Sequence, residues 1–200
     1  MANKQINDYA AKATPAATDS VLIQSAGGLT ERAELGSLHK DKVGFYNYDN
    51  TLAAQTITAN GTWQKLDNNV LGPLTMTQYR PTSMDEAGIW DPVTNQFDFS
   101  QLSLGDQIQI RVDVDVTPGS NSQDIDARLL FDIGGAEFGL MVGHMIPKTT
   151  ATILNHIDYV GMFMGSAGVL ANPAEIQVRA DSGGDVTVNV HGWYVSLIRR

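Results

Sequence analysis

The chain contains no cysteine, which excludes disulfides, thiolate metal sites and cysteine nucleophiles and leaves the fold to be held by packing alone. Basic residues are scarce as well: 13 Lys and Arg stand against 22 Asp and Glu, for a formal net charge of −9. The one adjacent basic pair is Arg199-Arg200, so there is no cluster to neutralise a run of phosphates. Nucleic acid and anionic membrane surfaces are therefore not expected partners. No apolar run approaches bilayer-spanning length, and the first twenty residues lack a basic start followed by an apolar stretch. Neither membrane insertion nor a secretory leader is expected, and a soluble protein made in the cytoplasm is. Helical periodicity is missing too, since no three-turn stretch repeats apolar residues at a spacing of three to four. With 200 residues, 42% of them hydrophobic, the chain can bury one real core, which predicts one main domain with a small module beside it.

What the sequence does have is period two. From Ile108 to Val116 every second residue is β-branched and apolar, and Gln109, Arg111, Asp113 and Asp115 lie between, as in a strand with one buried and one wet face. The closing stretch Asp185–Ile198 alternates in the same way, with Gly192 interrupting the period so that Trp193, Val195 and Leu197 carry it on, which predicts a bulge. Further alternating or aromatic-rich runs cover Val43–Tyr48, Gln55–Ala59, Thr62–Leu66, Ile125–Ile133, Glu137–Val142, Thr152–Ile157, Val160–Met164 and Ala174–Ala180. Asn60-Gly61 and Asp181–Asp185 read as hairpin turns, Pro118–Ser122 as a turn, and Gly134-Gly135 as another. Eight or more strands at such spacing predict an all-β sandwich, which we read as a jelly roll over residues 41–200.

Residues 1–40 differ in texture, being rich in Ala, Thr and Ser with few apolar side chains to offset the entropy of ordering. A strand, glycine turn and second strand is the local reading; by composition alone the segment reads as a disordered tail. Residues Ala13–Ser20, Val21–Gly28, Thr30-Glu31-Arg32 and the closing Leu35 and Leu38 resemble the N-terminal attachment segment of bacteriophage fibre and appendage proteins. In that family a Pro/Ala/Thr stretch leads to a Thr-Asp-x-hydrophobic strand, a Gly turn and a second strand. The resemblance implies a virion anchor in which Val21, Leu22, Ile23, Leu29, Leu35 and Leu38 contact a capsid or tail protein. Phe97–Asp106, the Ile-x-Ile-Arg strand after it and the Gly-Trp closing strand are similar to the trimeric, tumour-necrosis-factor-like jelly rolls that end many phage fibres. This implies a virion-located homotrimer, made in the bacterial cytoplasm, with Phe138, Met141, Met162, Phe163 and Met164 near its axis.

Signals for chemistry are weak. There is no Gly-x-Ser-x-Gly elbow, and Gly134–Gly139 has neither the lysine of a P-loop nor a helix after it, so no catalytic residue and no cofactor is expected. Asp113, Asp115, Asp124, Asp126 and Asp132 gather with Asn121 around one turn, where they could hold a hard cation such as Ca²⁺, but Asp113/Asp115 and Asp124/Asp126 sit at period two on polar strand faces, and the first reading is a solvated face. The four histidines share no metal-ligand spacing, so no metal is expected either. The loop-rich span 67–100 carries Tyr79 and Trp90, the expected ligand-facing aromatics if the protein is a lectin-like module that binds a host surface glycan. A short fibre or decoration protein is the first reading and the glycan-binding module the second.

Overall fold

The computed structural model describes residues 20–24, 30–34, 42–150 and 152–200, and the chain divides into two compact units, Met1–Asp41 and Lys42–Arg200. In the first, β1 (Ser20–Gln24) and β2 (Thr30–Glu34) pair antiparallel, with Val21 opposite Ala33 and Ile23 opposite Glu31. Val21, Leu22 and Ile23 of the expected anchor thus lie in β1, while Leu29, Leu35 and Leu38 fall outside the described residues. A lone two-stranded hairpin is marginal in water.

The second unit contains β3 (Val43–Asp49), β4 (Gln55–Ile57), β5 (Gln64–Lys65), β6 (Trp90–Asp91), β7 (Gln96–Phe97), β8 (Gln107–Thr117), β9 (Ile125–Phe131), β10 (Phe138–Met145), β11 (Leu154–Phe163), the short helix α1 (Ala167–Ala171), β12 (Glu175–Ala180) and β13 (Val186–Ile198). They form two large antiparallel sheets, ordered β11-β8-β13-β3 (with β4 also on β13) and β10-β9-β12-β5, and β6 pairs with β7 as a small third. The pairings are nested: β9 with β10, β8 with β11, β5 with β12 and β3 with β13. The chain doubles back at Gly134-Gly135 as one long hairpin, which rolls up until β13 meets β8 and β12 meets β9. That strand order makes the domain a jelly-roll sandwich.

The alternation read from the sequence is the burial pattern observed. Ile108, Ile110, Val112, Val114 and Val116 all point into the core, as do Ile125, Ala127, Leu129 and Phe131 of β9. The register of β13 slips between Val190 and Gly192, where the period breaks, and Trp193 resumes the buried row. Gly192 is required there: a Cβ would lie 2.6 Å from the Tyr48 carbonyl oxygen on neighbouring β3.

Two expected hairpins are sheet-to-sheet crossings instead. On either side of Asn60-Gly61, β4 joins β13 in one sheet and β5 joins β12 in the other, and the Gly61 N–H donates to Ala180 O at the end of β12 (2.8 Å). The Asp181–Asp185 turn likewise carries the chain from β12 in one sheet to β13 in the other. It packs on the Pro118–Ser122 turn so closely that Gly119 and Gly184 have no room for a Cβ. Buried Gln123 fastens the pair, accepting from Gly119 N (3.0 Å) and donating to Ser182 O and Gly184 O (3.0 and 2.7 Å). A Gly-rich turn has the same local chemistry whether its strands pair or diverge; the partner strands decide which happens.

Candidate functional site

The outer faces of the two sheets differ in where their apolar side chains are exposed. On the β11-β8-β13-β3 sheet, the side chains opposite those in the core are set in rows by the strand registers. Phe163, Gln107, Ile198 and Val43 stand side by side; the next row is Gly161, Gln109, Ser196 and Phe45, and the next Tyr159, Arg111, Tyr194 and Asn47. Phe163 is 65% exposed, Tyr159 and Ile198 53%, and Ile157 of the same face 49%. Phe45 is stacked between its neighbours, 5.1 Å from Tyr79 and 5.2 Å from Tyr194, and the Arg111 guanidinium lies 5.6 Å from the Tyr194 ring. The small residues Gly161 and Ser196 floor a groove of about 380 Å³ walled by Phe163 and Ile198. The Arg111 Nε is buried without a hydrogen-bond partner, while Nη2 of the same guanidinium is 3.7 Å from Asp113 Oδ2. At one end this face carries exposed apolar and aromatic side chains beside Gln107, Gln109 and Arg111, and toward the other end it turns polar, with Asn155 and His191 both bonded to Asp115. Phe138, at the start of β10, lines a second groove with Phe163, and Met141, opposite Arg128, is exposed on the other sheet.

The outer face of the β10-β9-β12-β5 sheet carries a closed polar network. Arg128 donates through Nε to Gln177 Oε1 (2.7 Å), and the guanidiniums of Arg128 and Arg179 lie over Trp63 at 4.2 and 4.9 Å from its ring centre. Asp126, 7% exposed, accepts on Oδ2 from Arg179 Nε and Nη2 (2.8 and 2.7 Å) and has His144 Nδ1 at 2.7 Å from Oδ1. Asp124 Oδ1 is 3.3 Å from the same nitrogen. Burial works against the Asp126 charge, but the N–H groups of His144 and Arg179 together outweigh it and hold the carboxyl below its usual range. The hydrogen bond to Asp126 in turn raises the His144 imidazole above its ordinary value. A register shift in β10 between Met141 and Gly143 sets His144 directly across from Asp126. Bulges re-aim side chains in this way.

Tyr79 is exposed and stacked on Phe45, at the border of the aromatic face. Trp90 corrects the sequence reading. It is 4% exposed, packed edge-on against Phe97 (4.7 Å) and Trp193 (5.8 Å), and its indole N–H donates to Asn68 O (3.0 Å). The loops around it turn inward because Asn68 is itself fastened to Tyr48 O and Tyr48 Oη accepts from Ile89 N. Among the residues expected near an axis, Phe138, Met141 and Phe163 are exposed, whereas Met164 is fully buried in the core. The convergence of Asp124, Asp126 and His144 was not anticipated, because the β10 bulge that creates it leaves no mark in spacing. Tyr194 and Ile198 were overlooked although they occupy the outward positions of β13; their signal was an apolar residue on both faces of one strand.

No family model and no curated protein matches the chain. Among solved structures, it is similar to the infectious bursal disease virus Gt strain structure (TM-score 0.45, 9% identity, 91% of this chain), of whose chain it spans 38%. It is similar also to the Eiger TNF of S. frugiperda (TM-score 0.42, 10% identity, 80% of this chain and 92% of that one). The PRD1 vertex protein P5 aligns with TM-score 0.37 and 13% identity, over 98% of this chain and 90% of that one. These are likenesses of outline; the jelly-roll assignment rests on strand order and register.

Proposed function

We propose that the protein is a non-enzymatic virion structural component: a short homotrimeric fibre or decoration that residues 1–40 attach to a capsid or tail protein and that residues 41–200 build outward. The observation that carries the self-association is the group of exposed apolar side chains, Phe163, Tyr159 and Ile198, at one end of the β11-β8-β13-β3 face. Leaving such a face in water forgoes roughly 25 cal/mol for each Å² that could be covered. A contact between this sheet face and the Phe138 edge of a second copy is heterologous, and a threefold rotation would close it as a ring. The number three and the anchor come from the resemblance to phage attachment segments and terminal jelly rolls.

The test is the mass of the full chain by light scattering at micromolar concentration, expected at three times the monomer. Phe163→Glu should release folded monomers, because it buries a charge in the contact. A wild-type monomer, or a trimer unaffected by Phe163→Glu and by Tyr159→Glu, overturns the assignment of this face. Deleting residues 1–40 should leave a folded domain that no longer enters particles; equal incorporation overturns the anchor.

A second reading, binding of a host surface glycan, is favoured by the exposed ring of Tyr79 stacked on Phe45, a shelf of the kind on which sugar faces stack. Loss of phage adsorption by Tyr79→Ala in intact particles would move the assignment to that reading.

A further inference from the structure

We propose that Asp124, Asp126 and His144 form a binding site for one divalent transition-metal cation of the zinc or cobalt type. Their ligand atoms all lie within 4.8 Å of one another. His144 Nδ1 stands 2.7 Å from Asp126 Oδ1 and 3.3 Å from Asp124 Oδ1. Metal–ligand bonds of about 2.1 Å place neighbouring ligand atoms roughly 3 Å apart, so these separations are already edge lengths of a coordination polyhedron. The set is an imidazole with two carboxylates rather than a patch of acids, and that mixture suits borderline cations over calcium or magnesium.

Three further features point to a built site. The β10 bulge is what brings His144 across from Asp126. Asp126 is buried, and its second oxygen is taken by two N–H groups of Arg179, which leaves Oδ1 aimed at the imidazole, as an outer-shell partner orients a ligating carboxylate. Asp124 Oδ1 is itself inaccessible to solvent and makes no hydrogen bond, and His144 Nδ1 lies 3.3 Å from it. His144 and Asp124 are otherwise about half exposed, which gives a cation a path in and room for water to complete its shell. A bound ion takes the Nδ1 lone pair of the neutral ring, whose proton is then on Nε2; starting from the imidazolium, the Nδ1 proton leaves to solvent. The bound ion would link the start of β9 to the end of β10, at the rim of the polar sheet.

The experiment uses the full chain, stripped with a chelator and titrated calorimetrically with Zn²⁺, with Co²⁺ as a visible-absorption probe of nitrogen and oxygen ligation. One ion per chain is expected, with a rise in the unfolding midpoint, and Ca²⁺ in excess should not compete. His144→Ala and Asp124→Asn should each weaken binding at least about tenfold, the range by which loss of a site's supporting groups is felt. His191→Ala, which removes the exposed histidine beside Asp115, should leave it unchanged. Circular dichroism of each variant checks that it is folded. Absence of saturable binding, binding that survives His144→Ala, or binding abolished by His191→Ala would overturn the site.

Discussion

Replacing Trp90 by alanine separates a core role from a ligand-binding one. The indole is almost wholly enclosed, meets Phe97 and Trp193 edge-on and satisfies the carbonyl of buried Asn68. Large-to-small truncation of a buried tryptophan costs about 3–5 kcal/mol, a figure that includes the cavity left behind. The orphaned Asn68 carbonyl places Trp90→Ala in the upper half of that range, and Trp90→Phe, which keeps most of the ring but loses the N–H, should cost roughly 1–3 kcal/mol. Tyr79→Ala removes an exposed ring whose stacking on Phe45 is worth about 0.5–1.5 kcal/mol, so its effect on stability should be several times smaller. Urea unfolding followed by far-ultraviolet circular dichroism measures all three, on protein diluted until self-association makes no contribution. A Trp90→Ala variant that loses less than about 1 kcal/mol at unchanged slope would refute the packing argument.

Alkaline unfolding should follow from two buried tyrosines. Burial, foremost, pushes Tyr46 up from 10.0 to about 12, and Tyr48 is raised further. The folded state thus holds the neutral phenol where the unfolded chain ionises. The resulting stability is complete below pH 10, declines above it and is lost as pH passes through the folded value near 12. Tyrosinate absorbance should appear together with loss of circular dichroism, and Tyr46→Phe should move that transition upward; independent titration before unfolding would count against it. At the β13 bulge, Gly192→Ala should destabilise by about 1–3 kcal/mol, because the added methyl meets the backbone of Tyr48 and Asp49 rather than a movable side chain. A neutral result in thermal unfolding would mean that the two strands separate there at little cost.

How much of this was legible in the chain depends on how local each property is. Alternation of apolar residues is a property of one strand, so β8, β9 and β13, their inward residues and the slip at Gly192 could be read directly, and the number and spacing of the strands implied an all-β sandwich. Which strand lies beside which is not local: Asn60-Gly61 and Asp181–Asp185 have the composition of hairpin turns, yet cross between sheets because β12 and β13 each find partners elsewhere. Burial of a loop residue is not local either, and Trp90 faces inward only because Asn68 and Tyr48 draw its loop onto the core. The sequence by itself determined the strands, their inward faces, the acidic balance and the absence of thiol chemistry. Tertiary structure alone decided that Phe163, Tyr159, Tyr194 and Ile198 share one open face, and that His144 meets Asp124 and Asp126. The physical reason is register: a shift of one residue in pairing moves every side chain of a strand to the other face, and register is set between strands, by packing and bulges.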